Sequence, residues 1–185
     1  PWMRVANTEM WGRSVLHLAK KALKCRTAQV YWFDRDCDAL IPMETISDCP
    51  EILSNKSISL AEVRLTVLKK SREQVSFRYD PHSPQRVPIY RAQVNISSVM
   101  AVPVHFQGGL AGAFLFDRQG PDPFFLPDTI IAGKLSQTIQ DSLATERRLK
   151  SAVLLSEHLR QMNDAAKQFS TARTFEQVYD TAVRY

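Results

Sequence analysis

The alternation of apolar and polar residues is most distinctive over residues 98–117, where two strongly apolar segments flank Gly108 and Gly109. Val, Phe and Met on both sides of the glycines are typical of strands that are buried on two faces. Two successive glycines supply the positive φ angles that a two-residue hairpin turn requires. The pattern therefore predicts a β-hairpin around which the rest of the chain is organised.

The segments before this hairpin predict further helices and strands. Apolar residues recur at helical spacing from Thr8 and predict an amphipathic first helix. Residues 28–34 and 39–46 predict a second hairpin, and residues 74–79 predict another strand. The apolar stripe of the first helix consists of Trp11, Val15, Leu18 and Ala22, flanked by Leu16, Ala19 and Leu23.

A capping signal and a proline-rich segment lie between these strands. Ser59 and Glu62 have the spacing of a capping box, in which each side chain binds a free amide at a helix start, so a short helix ending near Lys70 is expected. Residues 80–88 contain three prolines, which remove backbone donors and fix φ. This segment is therefore predicted to be a loop that leads into the central hairpin.

A long helix is predicted from about Asp128 onward, because neither proline nor glycine occurs after Gly133. Apolar residues four positions apart indicate that the first part of this helix packs on the sheet. These residues are Ile131, Leu135, Ile139 and Leu143.

Beyond the polar residues 146–148, the pattern changes to the alternating four- and three-residue spacing of a coiled coil. A helix of about forty residues is roughly 60 Å long, which is more than one small domain can cover. The sequence therefore predicts a homodimer in which a second subunit buries this seam. The predicted dimer and signalling residues are Leu155, Leu159, Met162, Ala166 and Phe169.

Composition and charge limit the kinds of partner that are expected for the chain. The net charge is +5, but the basic residues are dispersed among acidic neighbours, so no nucleic acid is expected. No apolar run approaches the roughly 20 residues that span a bilayer, so no membrane is expected either. Cys25, Cys37 and Cys49 lack metal-ligand spacing and are interpreted as reduced thiols of a cytoplasmic protein, with a redox role left open.

The central pattern resembles the GAF domains of signalling proteins. Members carry a Ser-Val-Leu-Ala-Val-Pro-Leu-like strand, a glycine turn, a Gly-Val-Leu-like return strand, and then a Phe and an Asp that open a long helix. The resemblance covers residues 9–146 and is strongest in the second half. The matching elements are residues 98–104, Gly108 with Gly109, residues 112–116, Phe124 or Phe125, and Asp128.

The resemblance implies an α+β fold, with a GAF- or PAS-like antiparallel sheet of five or six strands, flanking helices and a long C-terminal signalling helix. It also implies a non-catalytic sensor or regulatory domain of a bacterial signal-transduction protein. Such a domain binds a small molecule or a partner and relays its state to an output domain, for example a histidine kinase, a nucleotide cyclase or an ATPase.

Three parts of the chain are expected on this basis. Residues 1–146 form the GAF domain, and residues 147–172 form a coiled-coil linker. Residues 173–185 begin a following domain, for which a second GAF domain is one candidate, because residues 174–177 repeat the capping-box pattern.

Small molecules bind GAF domains between the sheet and the segments that cover one of its faces. Aromatic side chains of this sequence offer flat walls with polar tips for such a pocket, although plain core packing explains them as well. Gly112 is expected to allow a close backbone approach. The candidate ligand-binding residues are Tyr31, Phe33, Phe77, Tyr79, His82 and Tyr90.

Several specialised functions of the family are less well matched. Residues 93–97 lack the cysteines of free methionine sulfoxide reductases, and no cysteine stands at the matching position for a bilin. His82 is the candidate for a haem ligand. Cyclic-nucleotide-binding members have an Asn-Lys, Phe and Asp-Glu signature, where this chain has Asp117 with Arg118, then Phe124, and Asp128 with Thr129. An ion pair between Arg118 and Asp128 is expected from this motif.

No catalytic constellation is visible in the sequence, and no cofactor is assigned. The remaining alternatives to a ligand-binding sensor are a dimerisation or spacer module whose pocket is filled by its own aromatics, and a haem or redox sensor.

Overall fold

The computed structural model describes residues 6–61, 65–80, 82, 87, 89–120, 122–171, 179 and 183. Side chains are described from residue 13 to residue 167 within these ranges, and at residues 179 and 183. The elements, in chain order, are helix α1 (Ala6–Ala22), strands β1 (Thr27–Asp34) and β2 (Ala39–Ser47), a 3₁₀ helix (Pro50–Ile52), β3 (Ile58–Ser59), a second 3₁₀ helix (Leu65–Lys69), β4 (Val75–Arg78), β5 (Ser98–Phe106), β6 (Gly109–Arg118) and helix α2 (Leu126–Thr171).

The strands form one six-stranded sheet in the order β3-β2-β1-β6-β5-β4. All neighbouring strands run antiparallel, and the hairpin of β5 and β6 contributes two of the four inner strands. Both predicted hairpins are therefore confirmed. The turn lies one residue earlier than predicted, since Gln107 and Gly108 have positive φ angles of 56° and 79° while Gly109 already belongs to β6.

Successive side chains of the inner strands point to opposite faces of the sheet. One face carries the loop-side cluster, in which β1, β5 and β6 pack against the second 3₁₀ helix and against buried residues of the segment 87–96. Its largest fully buried members are Tyr31, Leu40, Leu60, Leu65, Leu68, Ile89 and Ile96.

The other face carries Phe114 and Phe116, which are buried and whose parallel rings lie 6.1 Å apart between centroids. Helix α1 packs against β1 and β2, and α2 is joined to β5 by a hydrogen bond of 2.5 Å from Ser136 Oγ to the carbonyl oxygen of Pro103. The predicted close approach at Gly112 is confirmed, because a Cβ there would lie 2.3 Å from the carbonyl oxygen of Tyr31.

The buried faces of both helices are rotated from the predicted stripes. Among the described side chains in and directly after α1, the buried ones are Leu16, Ala19 and Leu23, which were predicted as the flank of the stripe, whereas Leu18 is 70% exposed. The side chain of Trp11 lies outside the described residues. In the described part of α2 they are Ala132, Ser136 and Ile139, so Ile139 is confirmed as buried, whereas Ile131 is 39% exposed. The small side chains of Ala132 and Ser136 allow α2 to lie close to β5. The larger side chains of Ile131 and Leu135 would prevent this approach if they faced the strand.

The short helix predicted from Ser59 is confirmed at its end near Lys70, where a 3₁₀ helix covers Leu65–Lys69, but not at its start. Ser59 instead ends β3, where it pairs with Ala39. The 3₁₀ helix buries Leu65 and Leu68, three residues apart as the 3₁₀ repeat requires. Glu62, the second member of the predicted capping box, lies outside the described residues.

The strand predicted at residues 74–79 is confirmed as β4, and the long helix is confirmed as α2, which has 46 residues and begins two residues before Asp128. The described part of the chain divides into a unit up to Asp141, which contains the sheet, and a unit from Ser142. Most of the predicted loop at residues 80–88 and the predicted capping box at residues 174–177 lie outside the described residues.

Candidate functional site

The loop-side face of the sheet brings together five of the six predicted ligand-binding residues. Tyr31 and Tyr90 are buried members of the loop-side cluster, and Phe33, Phe77 and Tyr79 pack against it while partly buried. These side chains serve as core here, so their role in ligand binding stays a prediction.

The hydroxyl of Tyr31 donates to Gln29 Oε1 over 2.7 Å, and the amide of Gln29 donates to Thr45. Burial raises the pKa of Tyr31 above its ordinary value. This polar tip therefore already has its partner within the fold.

The hydroxyl of Tyr90 is the centre of a buried polar cluster at one end of β1 and β6. It donates to Asp117 Oδ2 and lies 2.7 Å from Thr27 Oγ1, while the backbone N–H of Thr27 donates to Asp117 Oδ1 over 2.5 Å. Burial raises the pKa of Asp117, and these donated hydrogen bonds oppose the shift only in part. The cluster joins the segment around Tyr90 to two inner strands of the sheet.

A polar cleft of about 330 Å³ lies beside this cluster. Arg26 extends across it, donating from Nε to Cys49 Sγ over 2.7 Å and from a terminal nitrogen to Gln119 Oε1 over 3.3 Å. The guanidinium carbon of Arg26 also lies 5.9 Å from the ring centroid of Tyr90. The lining residues are Lys24, Cys25, Arg26, Asp48, Cys49 and Gln119.

The predicted ion pair between Arg118 and Asp128 is confirmed. Two guanidinium nitrogens donate to the two carboxylate oxygens, each over 2.9 Å, and Asp128 also accepts from the backbone N–H of Phe125 over 2.9 Å. Arg118 donates to the carbonyl oxygen of Leu23 and stacks on Phe124, 4.4 Å from the ring centroid. This residue therefore ties the end of β6 to the end of α1 and the start of α2.

The predicted dimer residues lie on the later part of α2. Leu155, Leu159 and Met162 are 60%, 57% and 59% exposed, and Ala166 is exposed as well. The side chain of Phe169 lies outside the described residues. A series of large apolar side chains this exposed is unusual for a surface that meets only water.

His82 is not brought to the site. It is exposed in a turn, where its backbone N–H donates to Asp80 Oδ1 over 2.9 Å. Among the residues that the structure describes, no group of three or more His, Cys, Asp and Glu side chains is arranged to hold a metal ion. Within the same residues, no helix combines the length and the apolar character that crossing a membrane requires.

Sequence reasoning missed the polar cluster and the cleft. Asp117 is a carboxylate at the end of a continuous apolar strand, which is an available signal for a buried polar partner. The contact between Arg26 and Cys49 joins residues 23 positions apart, and no local pattern indicates it.

Comparison with solved structures relates this arrangement to known proteins. The GAF domain/HD domain protein from Geobacter sulfurreducens matches with a TM-score of 0.61 and 19% identity, over 75% of this chain and 93% of that one. The blue-light-absorbing form of the PixJ GAF domain from Thermosynechococcus elongatus matches with a TM-score of 0.62 and 14% identity, over 83% of this chain and 98% of that one.

An enzyme is also among the similar structures. The type II free methionine-R-sulfoxide reductase from Thermoplasma acidophilum matches with a TM-score of 0.54 and 18% identity, over 69% of this chain and 86% of that one. No protein-family model and no curated protein sequence matches the chain. The fold alone therefore does not decide the function. The sheet, the helices and these matches show that the chain has the GAF-domain fold.

Proposed function

We propose that this chain is a non-catalytic GAF-type regulatory domain of a bacterial signalling protein, which forms a homodimer through the later part of α2. The observation that carries the proposal is the exposed apolar seam of Leu155, Leu159 and Met162 on a helix whose first part belongs to the sheet-containing unit. In a dimer, the facing seam of a second subunit would bury these side chains.

The start of α2 supports a role in relay. Its first turn is held by the ion pair between Arg118 and Asp128, and its third turn is held by the hydrogen bond from Ser136 to Pro103. A change in the end of β6 would therefore act directly on the helix. A ligand can bias the helix only by binding two of its arrangements with different affinity.

The ligand-binding surface proposed is the loop-side face around Phe33, Phe77 and Tyr79, which are partly buried against the cluster. Binding of cyclic AMP or cyclic GMP tests this surface, with the melting temperature as readout. A rise in the melting temperature that Phe77→Ala abolishes supports the proposed sensor function.

A spacer module without a ligand is the second candidate function. It is favoured by Tyr31 and Tyr90, whose buried hydroxyls are bound to Gln29 and Asp117 and so are not offered to a ligand. On this alternative, the chain dimerises as proposed while no small molecule changes the melting temperature.

The dimer is tested by placing charge on the seam of the full chain. We expect Leu155→Glu with Leu159→Glu to convert a dimer into a monomer, because each buried leucine contributes about 2 kcal/mol and facing carboxylates repel. Sedimentation equilibrium measures the mass.

The matched control is Leu154→Glu, which makes the same chemical change at a leucine that is 66% exposed but lies off the seam. This variant is expected to remain a dimer. If the double variant keeps the mass of the parent, or if Leu154→Glu dissociates it equally, the proposed seam is wrong.

A further inference from the structure

The cleft beside the buried polar cluster contains two of the three cysteines in surroundings of opposite character. Cys25 and Cys49 both line it and are nearly equally buried, at 5% and 7% exposure. The thiol of Cys25 points to the carbonyl oxygen of Lys20, 3.8 Å away. Burial, and then the charge of Asp117, raise the pKa of Cys25 to about 12, so this thiol keeps its proton.

Cys49 instead accepts a hydrogen bond from a cation. Arg26 Nε lies 2.7 Å from the sulfur, and Ser47 Oγ lies 3.6 Å from it. This contact places a positively charged hydrogen-bond donor beside the sulfur, where it can stabilise an anionic leaving group. Lys24 adds a second positive charge to the lining, while the carboxylate of Asp48 is paired with Lys20 over 2.6 Å.

The third cysteine, Cys37, is exposed and lies near a negative charge. It is exposed, so reagents reach it freely, but the charge of Asp34 raises its pKa. The cysteine that reagents reach most easily is thus not the cysteine that lies beside a positive charge. The accessible thiol is deactivated, one buried thiol is deactivated, and the other buried thiol lies against a guanidinium in an open cleft.

We propose that Cys49 is an oxidation site, at which a small peroxide that enters the cleft converts the thiol to a sulfenic acid. The sulfur attacks one peroxide oxygen and the O–O bond breaks. The sulfur is oxidised by two electrons and the peroxide is reduced. The departing hydroxide takes the thiol proton and leaves as water, so that one thiol and one hydrogen peroxide give one sulfenic acid and one water.

Oxidation adds an oxygen atom to the sulfur that Arg26 contacts. The same guanidinium contacts Gln119, which directly follows the residue that pairs with Asp128 of α2. The site is therefore placed to alter the end of β6, independently of any ligand on the loop-side face.

The test treats the folded full-length chain with hydrogen peroxide in the presence of dimedone, which traps sulfenic acids, and maps the adducts by peptide mass spectrometry. We expect the adduct on Cys49 before Cys25 or Cys37. Cys25 is the matched control for access, because reaction through global unfolding would modify the two buried cysteines together. Equal modification of Cys25 and Cys49, or earlier modification of Cys37, overturns the proposal.

Two variants examine the activating contact. Arg26→Met is expected to slow oxidation of Cys49 by about tenfold, the effect of losing one hydrogen bond to a charged group. Lys24→Met removes a charge from the same cleft without touching the sulfur and is expected to change the rate by less than about twofold. An unchanged rate in a folded Arg26→Met variant would also overturn the proposal.

Discussion

Two stretches of α2 contain residues with the same four- and three-residue spacing but with opposite surroundings. In the first stretch, Ala132, Ser136 and Ile139 are separated by four and three residues and are at most 5% exposed. In the second stretch, Leu155, Leu159 and Met162 have the same separations and are at least 57% exposed. The buried stretch is the less apolar of the two.

This difference shows that periodicity marks a helix face and residue size indicates what the face contacts. Alanine and serine at positions 132 and 136 allow the helix backbone to lie close to a strand, as the contact of Ser136 with Pro103 shows. Leucine and methionine suit the wider spacing of facing helices in a coiled coil. The first stretch is thus matched to its own sheet, and in the proposed dimer the second is matched to the helix of a second subunit.

The largest expected loss of stability comes from a substitution at Ile139 in the first stretch. Ile139→Ala removes a side chain that is 3% exposed and is expected to lower the free energy of unfolding by about 3 kcal/mol. Leu154→Ala on the second stretch, off the seam, is expected to change it by less than about 0.5 kcal/mol. Urea denaturation followed by circular dichroism measures both. Equal losses would mean that the two stretches are packed alike.

The next effect concerns the ion pair that begins the first stretch. Burial tends to raise the pKa of Asp128, but the hydrogen bonds from Arg118 and from the amide of Phe125 outweigh it, so the pKa lies below its ordinary value. Asp128→Asn is expected to cost about 2 kcal/mol at neutral pH.

The sign of the pH dependence follows from the lowered pKa. As the pH falls below the ordinary value of the carboxyl, the unfolded chain takes up the proton first, so the stability supplied by Asp128 is lost. The difference between the parent and Asp128→Asn should therefore shrink in urea denaturations taken from about pH 6 to pH 3. A difference that stays constant over this range would show that the carboxylate charge does not hold the helix start.

The smallest effect concerns a single hydrogen bond. Ser136→Ala leaves the carbonyl of Pro103 without the donor from Ser136, so a loss of about 1 kcal/mol is expected. Ser151→Ala makes the same change at an exposed position of the second stretch and is expected to be neutral or slightly stabilising, since alanine favours helix. A loss at Ser151 as large as that at Ser136 would contradict the assignment of the two stretches.

Much of the fold was predictable because its signals are local. The apolar segments around Gly108, the β-rich segment at residues 28–34 and the proline-free run after Gly133 are each sufficient to predict an element. Of the short helix predicted from Ser59, only the start was wrong, because pairing of β3 with β2 is a tertiary contact that overrides a capping pattern.

The rotation of the helix faces and the contents of the cleft were not predictable in the same way. Spacing alone gives no preference for Ala132 over Ile131, since both lie on one side of the helix, and the closeness of the sheet decides between them. The pairing of Arg118 with Asp128 was predictable from the resemblance. The contact of Arg26 with Cys49 depends on the ends of two strands meeting, which sequence spacing does not encode.

The mass in solution of the full chain, compared with that of a chain ending at Glu146, tests whether the later part of α2 forms the proposed dimer. The shorter chain keeps the whole sheet-containing unit, which ends at Asp141, and lacks the seam. We expect a dimer for the full chain and a monomer for the shorter one. Two monomers would show that the exposed seam of α2 does not join two copies of this chain, and two dimers would place the interface on the sheet-containing unit.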